Sequence, residues 1–209
     1  MTIAEIIARV RAAIDESSDN ESGFIAQSKD EQSLERIIRK SICAAFNYLI
    51  TRCSRFDLWP GEVINTEGYE SENGVVRVKL PEDYGAFVRA KLKSWSYAPD
   101  PITENSQEYM MQSDETARGS YDRPVVAMVN RDGRYLEFYS QKEVGDAPEV
   151  NYVKMISISD ADGGETELNI PKRLEGALVY QTAYLTLVAV GNTNSQLYQA
   201  ISDKMMKVE

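Results

Sequence analysis

Histidine is absent from the 209-residue chain, and cysteine occurs only twice, as Cys43 and Cys53. Without histidine the chain has no Ser-His-Asp or Cys-His catalytic machinery and no His-ligated zinc site. The two cysteines stand ten residues apart on one predicted helix, which separates them by about 15 Å and puts them beyond disulfide reach. Two thiols cannot close a zinc site by themselves, so we expect both to be reduced, as in a reducing compartment.

The sequence also has few of the patterns that mark membranes, cofactors or metals. No apolar run approaches the roughly 20 residues that cross a bilayer, and charges interrupt the apolar residues at the start, so we expect no membrane span and no secretory signal. Phosphate-binding glycine loops, dinucleotide fingerprints and zinc-protease helices are missing. The run from Asp160 to Glu165 lacks the later ligands of a calcium loop, which favours a solvated turn. We therefore predict no cofactor and no metal.

Acidic residues outnumber basic ones by 33 to 23, which gives the chain a formal net charge of -10. A surface that neutralises phosphates needs clustered lysine and arginine, so this balance argues against nucleic-acid binding as the main role, although a local basic patch stays open. Carboxylate pairs such as Glu70 with Glu72 and Asp114 with Glu115 lie in predicted polar loops. Hydrolysis needs two carboxyl groups held in a pocket with separated pKa values, so exposed loops are favoured over a catalytic site.

The N-terminal segment predicts an amphipathic helix followed by a polar tether. Thr2 and Glu5 form a capping box, and apolar residues recur at helical spacing over about residues 3–16. The next stretch, residues 17–23, is polar and turn-forming. Residues 1–27 are therefore predicted to be a helix and its tether.

Three further helices are predicted, over about residues 31–53, 171–190 and 194–208. Ser28 and Glu31 form the capping box of the first of these. The second is apolar on nearly every side, which indicates a buried core helix, and Gly191 ends it. The third carries one apolar stripe, formed by Leu197, Ile201, Met205 and Val208.

Between residues 61 and 159 the hydrophobic period shortens towards two, which is typical of β-strands. The candidate strands are Glu62–Thr66, Val75–Leu80, Val88–Ser96, Val125–Val129, Tyr135–Ser140 and Val150–Ile156. Residues 130–133 predict a tight hairpin between two of them. A short helix, Gln107–Gln112, is expected inside the long connection between residues 96 and 125.

This order of elements predicts an α+β fold, namely a helical bundle with a strand-rich central insertion and amphipathic terminal helices. Residues 28–209 are expected to form the main domain, with the insertion over about residues 61–159. Residues 1–27 are expected to lie outside it as a docking arm. The sequence shows no internal repeat.

Three groups of residues are candidates for a partner interface. The first is the stripe of the N-terminal helix, formed by Ile3, Ile6, Ile7, Val10 and Ile14. The second combines aromatic and arginine anchors, namely Trp95, Tyr109, Arg118, Tyr121 and Arg123. The third is the stripe of Leu197, Ile201 and Met205 near the C-terminus. Rings beside arginines can also stack nucleic-acid bases, but the acidic chain favours a protein interface. Either helical stripe could instead pack on the chain's own core.

Six short segments carry a family resemblance through their order and spacing. They are Leu80–Tyr84, Val88–Trp95, Glu108–Gln112, Arg118–Val125, Leu136–Tyr139 and Ile170–Glu175. Over roughly residues 30–205 the chain resembles the virion adaptor proteins of tailed phages, in particular the head-to-tail connector or ring proteins of short-tailed phages such as the crAss-like group. We know of no catalytic motif in that family, and the N-terminal helix fits its pattern least clearly.

The resemblance implies a structural virion protein, with residues 28–209 as the adaptor domain. Such proteins form a ring, commonly of twelve copies, that binds the portal after DNA packaging, extends the DNA channel and provides the platform for the tail. The implied partners are other copies of the chain, the portal protein and further neck or tail proteins. Genomic DNA would pass without specific binding, helped by acidic residues that repel phosphates. The implied location is the head-to-tail interface of the virion, after assembly in the host cytoplasm.

Three alternatives remain open. Another neck or tail-completion protein would share the structural role but contact different partners. A DNA-binding packaging accessory factor would show a salt-sensitive affinity for DNA. A carboxylate-based hydrolase would need a deep pocket in which two acids converge.

Overall fold

The computed structural model describes residues 1–18, 31–58, 61–64, 68–140, 146–157, 167–193 and 195–206. Within these residues five helices and eight strands form an α+β fold, which confirms the predicted class. The chain divides into two compact units: one combines Met1–Trp59 with Met155–Glu209, and the other is Pro60–Lys154. The first unit is helical and the second is rich in strands.

The helical unit begins with α1 (Ile3–Ser18), and the predicted capping box opens it. The Thr2 backbone N–H donates to Oε2 of Glu5 at 2.9 Å, and the Glu5 N–H donates to Oγ1 of Thr2 at 3.2 Å. The hydrogen bond from the Thr2 backbone lowers the pKa of Glu5. The Leu168 N–H donates to the Met1 carbonyl at 2.9 Å, so the start of α1 is fastened within its own unit.

The predicted tether falls mostly outside the described residues. Ser17 and Ser18 belong to α1, which is therefore slightly longer than expected. Residues 19–30, which include Ser28 of the second capping box, lie outside the described residues. The division of the chain does not separate residues 1–27, because α1 is part of the helical unit.

The other helices are α2 (Glu31–Arg52), α3 (Gln107–Met111), α4 (Glu175–Ala189) and α5 (Ser195–Met206). All except α3 belong to the helical unit, and α4 is at its centre, where it packs against α1, α2 and α5. Leu178 and Ala183 of α4 have no exposed surface. The prediction of a buried core helix is therefore confirmed.

A Schellman motif ends α4 at the predicted glycine. Gly191 has a φ of +76°, which a residue with a side chain rarely adopts. The Asn192 N–H donates to the Leu187 carbonyl at 2.9 Å, and the Gly191 N–H donates to the Val188 carbonyl at 3.1 Å. These two bonds satisfy carbonyl groups that the end of a helix leaves without a partner.

The strand-rich unit contains two sheets. Its strands are β1 (Glu62–Val63), β2 (Glu70–Glu72), β3 (Val75–Lys79), β4 (Tyr84–Leu92), β5 (Pro101–Thr103), β6 (Val125–Asn130), β7 (Arg134–Tyr139) and β8 (Pro148–Lys154). One sheet has the order β1-β8-β4 and is antiparallel. The other has the order β2-β3-β7-β6-β5 and is antiparallel apart from the parallel pair β5 and β6.

Two strands were not predicted and one was misplaced. β2 and β5 are three-residue strands at the edges of the larger sheet. Neither shows an alternation of buried and exposed side chains, since β2 is exposed throughout. β5 begins with Pro101, a residue that sheets accept at an edge. The prediction of a strand over Val88–Ser96 is correct only for Val88–Leu92, because β4 begins earlier, at Tyr84, and ends at Leu92, where the chain turns. The Trp95 N–H donates to the Leu92 carbonyl at 3.0 Å across this turn.

The remaining strand predictions agree with the structure within two residues, except that residues 65–67 after β1 lie outside the described residues. The predicted hairpin joins β6 to β7, with Asn130 opposite Arg134. Asp132 and Gly133 in its turn have φ values of +47° and +135°. Positive φ at these positions is what a tight hairpin requires.

The main core of this unit lies against one face of the five-stranded sheet. Leu136 and Phe138 of β7 have no exposed surface there. The Trp95 ring lies 5.9 Å from the Phe138 ring between centroids. Because side chains alternate along a strand, Glu137 and Tyr139 belong to the opposite face of the sheet. That outer face carries the candidate site.

Candidate functional site

The outer face of the five-stranded sheet is partly covered by α3, the short helix that the sequence predicted over Gln107–Gln112. The helix is capped by Ser106, whose Oγ accepts a hydrogen bond from the Tyr109 N–H at 3.2 Å. This cap fixes the first turn of α3 and thereby the position of Tyr109. Its ring packs edge-on against Tyr139 of β7, with 6.4 Å between centroids.

A buried carboxylate, Glu137, lies beneath α3. It is 5% exposed and stands directly opposite Arg77 of β3. Its Oε1 accepts a hydrogen bond from Nε of Arg77 at 2.9 Å. Its Oε2 accepts two, from the Tyr139 hydroxyl at 2.7 Å and from the Tyr109 hydroxyl at 3.0 Å. The carboxylate therefore joins two strands and α3.

The hydrogen bonds decide the protonation of this cluster. Burial opposes the charged form of Glu137, but the bonds from Tyr139, Arg77 and Tyr109 outweigh it, and the pKa of Glu137 is lowered. Burial, followed by hydrogen bonding to this carboxylate, raises the pKa of Tyr109 and of Tyr139. Glu137 is thus an ionised acceptor between two neutral phenols. This state suits an anchor, because a general acid needs a raised pKa.

A cavity of about 510 Å³ opens beside this cluster. Its charged lining residues are Arg77, Arg118, Arg131 and Glu104. We name it the arginine cavity. Tyr109 and Tyr139 form part of its wall. The predicted interface residues Tyr109 and Arg118 both line this cavity, while Arg77 and Glu137 were not predicted.

Each arginine of the cavity is held by a different contact. Arg77 makes the ion pair with Glu137. Arg118 donates from Nε to the Gln112 carbonyl at 3.0 Å and from Nη1 to the Asn73 carbonyl at 2.8 Å. The Arg131 guanidinium lies 5.8 Å from the centre of the Tyr109 ring. Carbonyl groups and an aromatic face orient a guanidinium without neutralising its charge.

The other predicted anchors of this unit do not join the arginine cavity. Arg123 lines a neighbouring cavity of about 490 Å³ together with Asp100 and Glu108. Tyr121 is 40% exposed, and its hydroxyl donates to the Ser94 carbonyl at 3.0 Å. The prediction of Trp95 as an interface residue is wrong, because its side chain is 2% exposed and fills the core.

The partner-docking prediction for the N-terminal stripe is also wrong. Ile3, Ile6, Ile7, Val10 and Ile14 are between 0% and 6% exposed. They belong to α1, which packs against α4 and α2. Burial of one such side chain stabilises a fold by about 1.5–3 kcal/mol. The stripe therefore belongs to the core of its own unit, which was the other interpretation that the sequence allowed.

Unlike the buried N-terminal stripe, the C-terminal stripe is exposed or only partly buried. Leu197 is 60% exposed and Met205 is 42% exposed, and Ile201 between them is partly buried. Val208 lies outside the described residues. The buried face of α5 is instead formed by Ser195, Tyr198 and Ser202. We name Leu197, Ile201 and Met205 the outer row of α5.

The polar inner face of α5 is held by specific hydrogen bonds. The Tyr198 hydroxyl donates to the Ala13 carbonyl of α1 at 3.1 Å. The Ser202 hydroxyl donates to the Ala177 carbonyl of α4 at 2.9 Å. Turning the helix to bury Leu197 would break both bonds and move the two hydroxyl groups away from their acceptors. The exposure of the outer row is therefore a consequence of how α5 is anchored.

No protein-family model matches the sequence, and no curated protein matches it significantly. In the part of the chain that the structure describes, no group of three or more acidic or cysteine side chains is placed to hold a metal ion. None of the described helices is both long and apolar enough to span a bilayer. The arginine cavity and the outer row of α5 are therefore the two surfaces that bear on function.

Proposed function

We propose that the chain is a non-enzymatic virion protein, a head-to-tail adaptor that forms a ring beneath the portal of a tailed phage. The resemblance of six ordered segments to such adaptors motivates the proposal. The observation that carries its assembly role is the outer row of α5, an apolar row that is left exposed while the polar face of the same helix is buried.

An apolar row on the outside of a small helix is typical of a surface that a partner covers. Val188 and Val190, at the end of α4 and just beyond it, are 49% and 42% exposed. They precede α5 by a short connection, so the helical unit offers apolar side chains on both sides of this turn. Covering them would remove apolar area from water without repacking the unit's own core.

A closed ring needs two different surfaces on each subunit, one for each neighbour. The chain offers an apolar surface on the helical unit and an arginine-lined surface on the strand-rich unit. These unlike surfaces support a head-to-tail arrangement of copies. Another neck or tail-completion protein would use the same two surfaces, and only its partners would differ.

A hydrolase and a DNA-binding factor both receive less support. Glu104 and Glu137 are the carboxyl groups at the arginine cavity. Glu104 accepts a hydrogen bond from the Asn130 N–H at 3.1 Å, and Glu137 is ionised and satisfied. The pKa of Glu137 is lowered, whereas a catalytic acid needs a raised pKa. A DNA-binding factor would have to overcome the net charge of -10.

Cosedimentation with the portal protein of the same phage tests the outer row. The wild-type chain should bind the portal at a saturating ratio. Leu197→Gln should weaken this binding at least roughly tenfold, because it places an amide in an apolar contact. Val63→Gln is the matched control, since Val63 is 66% exposed in the other unit. Equal binding by both variants would contradict the role of the outer row.

A further inference from the structure

The arginine cavity holds donors that have no acceptor among the described residues. Arg77 donates from Nε to Glu137, and Arg118 donates from Nε and Nη1 to two carbonyl groups. Arg131 makes only the contact with the Tyr109 ring among the described residues. Among the described residues, Nη1 and Nη2 of Arg77, Nη2 of Arg118 and the Arg131 guanidinium have no hydrogen-bond acceptor and are open to a ligand. The Glu137 carboxylate, two backbone carbonyl groups and the Tyr109 ring orient the three side chains in advance, which reduces the entropy lost on binding.

Three carboxylates, Glu72, Glu104 and Glu137, stand near the three arginines of the cavity, but of these arginines only Arg77 forms an ion pair among the described residues. Glu137 neutralises Arg77 from below, and Glu72 contributes a further negative charge near Arg77. Glu104 is the acidic residue of the lining itself. Arg118 and Arg131 have no ion-pair partner among the described residues. These two guanidinium groups are therefore the centre of attraction for an anion.

We propose that the arginine cavity binds a carboxylate side chain presented by an acidic segment of a protein partner. Guanidinium groups pair with carboxylates through two parallel hydrogen bonds, and the open Nη atoms of Arg77 and Arg131 suit this geometry, while Nη2 of Arg118 can add a single bond. Tyr109 and Tyr139 direct their hydroxyl groups to Glu137, so they shape the wall and leave recognition to the arginines. The site is a local anion receptor on an acidic protein.

The surroundings favour a single carboxylate over a nucleic-acid strand. Asp114 and Glu115, which follow the lining residue Ser113, are exposed. Asp100 and Glu108 line the neighbouring cavity. A phosphodiester backbone carries a charge on every nucleotide and would meet these acids. One side chain can enter between them. The partner that this chemistry describes includes a second copy of the chain, which itself has 33 acidic residues.

Calorimetric titration at low salt with an end-blocked peptide that carries one glutamate flanked by alanines tests the site on the purified full chain. The peptide should bind the wild type, and added salt should weaken the binding. Arg131→Gln should reduce the affinity roughly tenfold, the usual effect of losing a charge-assisted hydrogen bond. Arg123→Gln is the matched control, because it removes an equal charge outside the arginine cavity and should leave the affinity unchanged.

Arg118→Gln is a second test. Its peptide titration is interpreted only if thermal unfolding shows that the variant is folded. Absence of peptide binding by the wild type, or equal loss with Arg131→Gln and Arg123→Gln, would overturn the inference. So would binding of an oligothymidylate that Arg131→Gln abolishes, because the site would then serve nucleic acid. The inference rests on the proposed adaptor role only for the partner's identity. Peptide titration needs no portal, so its failure is distinct from failure of ring assembly.

Discussion

Replacing Glu137 by glutamine should loosen α3 from the five-stranded sheet, because this carboxylate is the acceptor that α3 and two strands share. Three hydrogen bonds end on it, from Arg77, Tyr109 and Tyr139. A hydrogen bond to a charged group contributes about 1.5–3 kcal/mol. Glutamine keeps an acceptor oxygen but loses the charge and must place an NH₂ group among donors.

The expected loss is smaller than the sum of three bonds. Arg77 is 44% exposed on its side chain, so water solvates its guanidinium when the ion pair is lost. The two tyrosine hydroxyls can turn to accept from the new NH₂ group. We therefore expect Glu137→Gln to lower the free energy of unfolding by about 2 kcal/mol, within the range known for breaking a buried polar network.

Urea unfolding measures this difference, and hydrogen exchange of the α3 amides locates it. Glu104→Gln is the matched control, because it removes an equal charge from the same cavity without touching the buried cluster. A double-mutant cycle with Tyr109→Phe should give a coupling of about 1 kcal/mol. A loss under about 0.5 kcal/mol for Glu137→Gln, with unchanged exchange in α3, would refute the anchoring role.

We also expect the stability effect of Glu137→Gln to depend on pH. The pKa of Glu137 is lowered in the fold, so its ionised form contributes stability above the ordinary carboxyl pKa, and that contribution is lost as the pH falls through the lowered value. The stability difference between the wild type and Glu137→Gln should therefore be constant near neutral pH and shrink in acid. A difference that grows in acid would contradict the sign of the shift.

Three further stability predictions use urea midpoints with unchanged slopes. Gly61→Ala should destabilise the fold by about 1–3 kcal/mol, because its new Cβ would lie 2.7 Å from the Tyr152 carbonyl oxygen. Gly68→Ala is a nearly neutral control, because its Cβ would meet nothing within 4 Å. Ile6→Ala should cost about 2–5 kcal/mol because Ile6 is fully buried, and a loss below about 1 kcal/mol would restore the docking-arm interpretation of α1. Thr2→Ala should cost about 1 kcal/mol through the lost cap, and an unchanged midpoint would show that the cap is dispensable.

Local sequence signals predicted most of the elements, since each depends on neighbours along the chain. The capping box at Thr2, the hairpin at residues 130–133 and the end of α4 at Gly191 all require particular residues at fixed spacing. β2 and β5 escaped prediction for the same reason. A three-residue edge strand is defined by the strand beside it and shows no period of its own.

The partners of each apolar stripe could not be read from the sequence. The stripe of α1 indicated a buried face, but its period does not say what covers it. On α5 the row that looked most apolar faces outward, because Ser202 lets the helix approach Ala177 closely and Tyr198 reaches α1. Such an arrangement depends on contacts between distant residues, which no helical period encodes.

The candidate site was predicted in part. Tyr109 and Arg118 were chosen as aromatic and arginine anchors, and both line the arginine cavity. Arg77 and Glu137 were missed because their pairing depends on the register of β3 against β7. Their sequence separation of 60 residues leaves no local trace. The alternation of Leu136 and Phe138 around Glu137 is a signal that could have placed Glu137, though not its pairing with Arg77, on the outer face.

The native mass of the purified chain, measured with and without the portal protein, tests the adaptor proposal most directly. We expect a small species alone and, with the portal present, a closed ring whose mass is a whole multiple of 23.5 kDa added to that of the portal. A chain that stays monomeric and leaves the mass of the portal unchanged would contradict the account.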